Sequence, residues 1–363
     1  MRKELIFEDL FVLEMANNHW GKLDRGLKII SDFSKVVRFN NVRAAIKLQF
    51  RDVDTFIHKD FKKSEGRYIK KTLATKMSKE DYAKMIQAIK KAGCIPMSTP
   101  FDEKSVELCE ELGIEIIKIA SSDLNDWILI EKIASTKKPV IVSTGGSSLK
   151  DIDDLVKFFA NRNIPLAINH CVSLYPSEDS DIELNQIDFL RERYPNNVIG
   201  QSTHEYHDWR SSIMIAYAKG ARTFERHVDI NADDIPVAPY CSLPEQIDEW
   251  FKAFFKAKEM CGGSSDTKRI APQKEIEYLD ALVRGVYAKR DLPKGYVLSH
   301  DKLDEDVFLA IPLQKGQISC RELMSGEELL KPIKKNQPIT IDSIESPYAG
   351  NADLSKKIHE RGL

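Results

Sequence analysis

The stretch 11-FVLEMANNHWG-21 decides between two α/β architectures for this chain. Residues 11-FVLEMA-16 form a β-rich apolar run carrying a single acid, Glu14, and 17-NNHWG-21 is the turn that leaves it. A doubly wound open sheet usually leaves its first strand through a Gly-rich phosphate turn, G-x-G-x-x-G. That pattern is missing here, so the run reads as the first strand of a closed barrel. Seven more short runs follow: 44-AAIKLQF-50, 94-CIPMS-98, 115-EIIKIA-120, 139-PVIVS-143, 165-PLAINH-170, 198-VIGQS-202 and 221-ARTFERH-227. Amphipathic stretches such as 103-EKSVELCEEL-112 and 126-DWILIEKIAS-135 lie between them. Eight strands, each followed by a helix, is the count of a (β/α)8 TIM barrel. The barrel is predicted over residues 1–260.

Beyond it, 261-CGGSSDTKRIAPQKEIEYLD-280 begins as a Gly/Ser linker and ends in a short helical pattern, giving a linker over 261–281. Residues 282–345 alternate short β-like runs with Pro/Lys/Gly turns, as in 282-LVRGVYAKRDLPKGYVLSHDKL-303, and read as a small β-rich module. Residues 346–363 are a polar tail, expected to be mobile at its end.

Composition narrows the function. The 363 residues carry 54 Lys+Arg against 56 Asp+Glu, a net charge of −2 with no one-sign block. Nucleic-acid binding needs a clustered basic face, so no nucleic-acid partner is expected. No apolar run approaches the ~20 residues that span a bilayer. The start, MRKELIFEDLF, lacks a signal-peptide pattern. The chain therefore reads as a cytoplasmic globular protein. Its six cysteines (94, 109, 171, 241, 261 and 320) sit far apart and read as reduced thiols.

A barrel keeps its chemistry at the carboxyl ends of its strands. The predicted strands end in Glu14, Lys47 with Gln49, Ser98 with Thr99, Lys118 with Ser121, Ser143, His170, Ser202 with His204, and Glu225 with His227. One such residue means little; eight strands in step point to a site. Lys47 and Lys118 interrupt apolar runs, and lysine is seldom buried unpaired. Either they bind an anion or they pair with carboxylates inside the chain. With Thr99 and the serines, they suit a phosphate and a carboxylate on one small ligand. His204 and His227 end strands seven and eight, where two neutral imidazoles can share a divalent cation. His19 could orient ligand or metal. His207 reads as a loop residue, and His58, His300 and His359 as surface residues.

These residues sit in strings that resemble the sialic acid synthase family: 14-EMANNHWG-21, 47-KLQF-50, 98-STPFDEKS-105, 118-KIASSD-123, 139-PVIVSTGG-146, 170-HCVSLYP-176, 200-GQSTHE-205 and 225-ERH-227. The module from Arg284, with 284-RGVYAKRDLPKG-295, is similar to that family's antifreeze-like (SAF) domain. The branch it most resembles makes spore-coat or surface polysaccharides. The resemblance implies an enzyme that condenses phosphoenolpyruvate with an aldose, giving a 3-deoxy-2-keto sugar acid and phosphate. It implies Mn²⁺ or Mg²⁺ on His204 and His227, and phosphoenolpyruvate among Glu14, Lys47, Thr99, Lys118, Ser121, Ser143, Ser173 and Ser202. Glu14, Glu225 and Lys118 would be the catalytic set. Gln49, Asp123 and Tyr175 fall at acceptor-sugar positions. It also implies a homodimer whose C-terminal module covers the partner's barrel.

Several positions depart from the family pattern. Ser173 stands where Asn is common, Asp123 replaces a Glu, and Thr203 replaces the Asp of a Ser-Asp-His string. Ala238 aligns with an acceptor-holding Asp, and Ile311 with an arginine near the acceptor's N-acetyl group. The acceptor is therefore expected to differ from N-acetylmannosamine. Two other readings stay open on the residues alone: a metal-dependent aldolase or isomerase acting on a phosphosugar, and a catalytically silent carbohydrate-binding relative.

Overall fold

The computed structural model describes residues 3–263, 267–346 and 350–363. Ser264, Ser265 and Asp266 of the expected linker, and 347–349 of the expected tail, lie outside the described residues. The chain divides into two compact units between Gly262 and Gly263.

The first unit is a closed parallel barrel of eight strands in sequence order: β1 Leu10–Ala16, β2 Ala44–Phe50, β3 Ile95–Pro100, β4 Ile116–Ile119, β5 Val140–Ser143, β6 Leu166–Cys171, β7 Val198–Ser202 and β8 Thr223–His227. β1 closes the ring by pairing with both neighbours, Glu14 lying in register with Lys47 on β2 and with His227 on β8. The α/β barrel expected from the sequence is the observed fold.

Side-chain alternation explains what each strand contributes, because successive residues face opposite sides of a strand. Leu10 and Val12 pack inside the barrel with Ala45, Met97, Ile116, Ile141 and Ala167. Phe11, Leu13 and Met15 pack outward beneath the helices. The inward set continues on the same parity to the carboxyl ends, through Glu14, Lys47, Thr99, Lys118, Ser143, Cys171, Ser202 and Glu225, all of which face one cavity. The same parity turns Ser98 and His170 outward. Neither faces the cavity, and the His170 Nε2 lies 2.6 Å from the carbonyl oxygen of Ile182. Those two strand-end residues belong to the packing.

The helices cover the outer face through apolar stripes at helical spacing. Leu23–Asn40 buries Ile29, Ile30, Phe33 and Val37, and Pro244–Cys261 buries Ile247, Trp250, Phe251 and Phe254. Phe11 meets the rings of Phe251 and Phe254 at 4.7 and 4.9 Å between centroids. Ser78, Asp102, Asp126, Ser148 and Asp208 each cap a helix by accepting from a backbone amide three residues on. Caps of this kind contribute about 1 kcal/mol each.

The second unit is built from short pieces. Helix Gln273–Asp280 comes first; β9 (Gly285–Ala288) pairs antiparallel with β10 (Val307–Ala310), and β11 (Glu328–Leu329) with β12 (Ile344–Glu345). Val286, Leu292, Leu298, Leu323, Ile339 and Ile344 are among its core residues. The last residues are not a loose end. Ala352–His359 is a helix capped by Asn351, and its Ile358 packs on the module core. Arg361 then pairs with the buried Asp280 at 2.6 Å, and the Gly362 amide donates to the same carboxylate. The tail's polar composition hid a capped helix and a C-terminal ion pair. Among the described residues, no helix is long and apolar enough to cross a membrane, and the six cysteines are free.

Candidate active site

The carboxyl ends of the strands open into a cavity of about 610 Å³. Its floor is a chain of buried charges. Lys47 Nζ lies 2.6 Å from Glu14 Oε2 and 3.3 Å from Glu225 Oε1, and it donates to Thr99 Oγ1 at 3.0 Å. Lys118 Nζ lies 3.0 Å from Glu225 Oε2. The cluster is neutral, two ammoniums against two carboxylates, so burial costs far less than it would for any member alone. Gln49 extends it, donating to Glu14 Oε1 at 2.7 Å and accepting from Arg51 Nη1 at 3.0 Å.

The two carboxyls are driven apart. Burial raises Glu14, Lys47 pulls it back, and the charge of Glu225 raises it again; the net shift is upward. Burial also opposes ionisation of Glu225, but Lys118 and Lys47 together hold it well below the usual carboxylate range. Burial likewise opposes the charge on Lys47, yet Glu14 and Glu225 raise it above its ordinary value. Glu14 is thus the easier of the two to protonate, while Glu225 is held as the anion.

Above this floor stand two imidazoles, 5.3 Å between ring centroids. His204 Nδ1 lies 2.7 Å from the carbonyl oxygen of Val172. A carbonyl only accepts, so Nδ1 carries the proton and Nε2 keeps its lone pair. Burial pushes His204 down to about 4, and burial with His204 and Lys47 nearby holds His227 well below its ordinary value. Both are neutral donors. No group of three or more His, Cys, Asp or Glu side chains arranged for a metal occurs among the described residues. His204 and His227 offer two neutral nitrogen donors, and a divalent cation held there would need water and substrate oxygens to complete its shell.

The serine side of the mouth leaves hydroxyls to spare. Ser143 Oγ is buried without a hydrogen-bond partner among the described residues. Ser121 accepts from the Gly145 amide at 3.0 Å. A Cβ on Gly145 would fall 2.3 Å from Ser173 Oγ, so a larger residue there would force the Ser173 hydroxyl to move. Tyr175 stacks near His204, its ring centroid 3.9 Å away.

The cavity wall includes Glu14, Lys47, Gln49, Thr99, Lys118, Ser121, Ser143, Ser173, Tyr175, Ser202, His204, Glu225 and His227. Asp123 is the exception among the sequence-expected site residues. It stands off the wall, its carboxyl accepting from Ser122 and raised by burial to about 6. His19 is also behind the wall, with Nδ1 accepting from the Gly21 amide. His207, His58 and His300 lie exposed, and His359 contacts Asp342 at 2.8 Å.

Sequence reasoning missed Arg51, Arg67, Tyr68, Lys71 and Tyr240, which also line the cavity. Arg51 was within reach, since it continues the parity of Lys47 and Gln49. Arg67, Tyr68 and Lys71 lie on helix Arg67–Ala74, an excursion after β2 that no periodicity ties to the mouth. Tyr240 comes from the long loop after β8, which Arg25 pins by hydrogen bonds to Ala232, Asp229 and Ile230.

The NeuB family model matches residues 40–265, and the SAF domain model matches residues 283–345. The chain belongs to the NeuB family. The resemblance read from the strand-end strings and from the C-terminal module is thus shown, and the module is a SAF domain. The crystal structure of a protein assigned to spore coat polysaccharide biosynthesis (protein E) from Chromobacterium violaceum superimposes with a TM-score of 0.88 at 37% identity, covering 93% of this chain and 100% of that one. N-acetylneuraminate-9-phosphate synthase of Drosophila melanogaster is 26% identical over 94% of this chain and 97% of its own length. Spore coat polysaccharide biosynthesis protein SpsE of Bacillus subtilis is 26% identical over 93% and 94%. These relatives place the chain with sialic acid synthase-type enzymes of sugar biosynthesis. One alignment changes in three dimensions. Ala238, matched by sequence to the family's acceptor-holding Asp, is off the wall, and Tyr240 lines the cavity instead, 5.3 Å from the His227 ring.

Proposed function

We propose that this NeuB-family protein is a cytoplasmic transferase that condenses phosphoenolpyruvate with an aldose, giving a 3-deoxy-2-keto sugar acid and inorganic phosphate for surface polysaccharide synthesis. The observation that carries the reading is the floor itself: two buried lysines, a serine hydroxyl without a partner among the described residues, and a split pair of carboxyls under two neutral imidazoles. Lys47 and Lys118 hold the phosphate and carboxylate of phosphoenolpyruvate, sharing their protons between Glu225 and the ligand. Thr99, Ser121, Ser143, Ser173 and Ser202 complete its hydrogen bonds. This fixes the enol carbon against the acceptor aldehyde, which removes much of the entropic cost of meeting. The new C–C bond forms between C3 of phosphoenolpyruvate and the aldehyde carbon. Water adds at C2, and cleavage of the C2–O bond releases phosphate. Glu14, raised by burial, is the carboxyl placed to take up the proton that water gives at C2, while Glu225 stays charged between the lysines.

His204 and His227 would hold a divalent cation, Mn²⁺ or Mg²⁺, which supplies Lewis-acid polarisation of the acceptor carbonyl when bound. A Schiff-base aldolase suits this site poorly. It needs an amine free of a partner anion, and both floor lysines are paired. Gln49, Tyr175 and Tyr240 contact the acceptor. With Asp123 and Ala238 off the wall, and Ile311 in place of an arginine, the acceptor is a sugar other than N-acetylmannosamine. The functional form is a homodimer whose SAF domain approaches the partner's barrel; light scattering showing a micromolar monomer overturns that part.

The test is phosphate release from phosphoenolpyruvate with Mn²⁺ and a panel of aldoses. Acceptor-dependent release, abolished by chelator and by the double variant His204→Ala, His227→Ala, is expected. No release with any aldose sinks the reading.

A further inference from the structure

His204 and His227 stand on segments that the sheet does not hold together. The ladder between β7 and β8 consists of Gly200–Thr223 and Gln201–Phe224, and each histidine lies three residues beyond the second of these pairs. The two rings nevertheless stand 5.3 Å apart between centroids. A buried ion pair bridges the gap behind them. Arg226, the residue before His227, meets Glu205, the residue after His204. Its Nη1 lies 3.3 Å from Glu205 Oε1, and its Nη2 donates to the Glu205 carbonyl oxygen at 2.8 Å. Nε donates to Ser242 Oγ at 2.6 Å, and the Ser242 amide donates in turn to the carbonyl oxygen of His227 at 2.8 Å. The guanidinium also lies over the ring of Trp209, the first residue of the helix after β7, 5.2 Å from its centroid.

Strand alternation turns Arg226 away from the cavity that Glu225 and His227 face, and neither Arg226 nor Glu205 is on the cavity wall. The pair acts on the site through the backbone of its two neighbours. Both side chains are buried. Taking two charges out of water costs about as much as their attraction returns, and Glu205 Oε2 has no partner among the described residues. The pair is therefore a poor source of stability. It is a strong source of geometry, because the rigid fork of one guanidinium can fix several segments at once. Here those segments are β8, the turn after β7 and the loop after β8. A cation shared by two imidazoles needs both nitrogens about 2 Å from one point, and displacing either by more than about 0.5 Å weakens such a site.

We infer that Arg226 and Glu205 are positioning residues that set the separation of His204 and His227, and with it the affinity of the barrel mouth for a divalent cation. The inference rests on the metal reading proposed above. Without the pair, the turn after β7 and the end of β8 move independently, while the two imidazoles, the charged floor and the cavity wall keep their side chains.

Calorimetric titration of the metal-free full chain with Mn²⁺, no substrate present, tests it. The pair is replaced as a unit in Arg226→Met, Glu205→Leu, which strands no charge and should keep the thermal midpoint close to that of the wild type. Its affinity for Mn²⁺ should fall roughly ten- to a hundred-fold, the range found for groups that orient metal-holding histidines. Affinity for phosphoenolpyruvate, measured without metal, should stay unchanged, since the floor lysines are untouched. A second variant, Arg226→Lys, keeps a charge beside Glu205 but cannot span Glu205 and Ser242 together. It should fold with an intermediate Mn²⁺ affinity, and it carries the test if the double variant does not fold. Wild-type Mn²⁺ affinity in either folded variant overturns the inference. So does an equal loss of phosphoenolpyruvate affinity, which marks general damage to the barrel end. Mn²⁺ binding that is missing from the wild type, or that survives His204→Ala, His227→Ala, overturns the metal reading itself, and the inference falls with it.

Discussion

The two ends of the same eight strands make opposite use of burial. At the amino-terminal end, Leu10, Val12, Ala45, Met97, Ile116 and Ile141 fill the barrel with apolar volume. Two residues further along, the same inward faces present Glu14, Lys47, Thr99, Lys118 and Ser143. Apolar packing tolerates small changes in shape and loses stability smoothly with volume. Buried charge works by exact pairing of sign, so removing one partner strands the other. The lesson is that one end holds the barrel together, and the other stores polar groups whose remaining hydrogen-bond capacity is reserved for ligand.

The largest expected effect comes from Glu225→Ala. It leaves Lys118 without its carboxylate and takes one of two from Lys47. Loss of about 3–5 kcal/mol in urea unfolding is expected, together with loss of acceptor-dependent phosphate release. Adding Lys118→Met should recover part of the stability and none of the activity. If the single variant is as stable as wild type, the floor is not an electrostatic unit.

Next comes Met97→Ala at the apolar end, where the side chain is fully buried. About 2–5 kcal/mol should be lost, while kcat and KM of the folded enzyme stay within roughly two-fold. A large kinetic change with little loss of stability would erase the contrast between the ends.

A third prediction uses pH. Burial pushes His19 down to about 4, and its Nε2 has no partner among the described residues. It is neutral in the folded state and takes up a proton more readily when unfolded. Its contribution to stability is therefore fully present above about pH 6.5 and is lost as pH falls toward 4. His170, His204 and His227 are lowered as well and act in the same direction. Replacing His19 by Phe should flatten, not abolish, the fall in unfolding free energy between pH 6.5 and 4. An unchanged slope removes His19 from the account.

The smallest change in stability is expected for Ser143→Ala. Its hydroxyl makes no hydrogen bond among the described residues, so unfolding should shift by no more than about 0.5 kcal/mol. Its KM for phosphoenolpyruvate should nonetheless rise roughly ten-fold. A clear loss of stability with unchanged KM would place that hydroxyl in the structural end of the comparison.

The barrel was legible because strands and helices have distinct hydrophobic periods, and the runs around Phe11, Ile46, Ile117 and Val142 stand out without help from the rest of the chain. The inner site was legible for a related reason. A lysine inside AAIKLQF or EIIKIA has no local explanation, and strand parity brings both to one face. Ser98 and His170 were read as site residues from their place at strand ends; counting parity along their own strands turns them outward. The C-terminal helix was masked by polarity, since its stability comes from the Asn351 cap, Ile358 and the Arg361–Asp280 pair.

Sequence alone thus determined the barrel, its SAF partner domain and the chemical character of the floor, because each rests on short-range pattern or on strings shared across the family. Tertiary structure alone decided which carboxylate each lysine meets and that Asp123 and Ala238 stand off the wall while Tyr240 lines it. It also decided that a helix from the excursion after β2 brings Arg67 and Lys71 over the mouth. Those outcomes depend on how long loops return across the barrel end, where contacts between residues far apart in sequence set the geometry and no local periodicity records them.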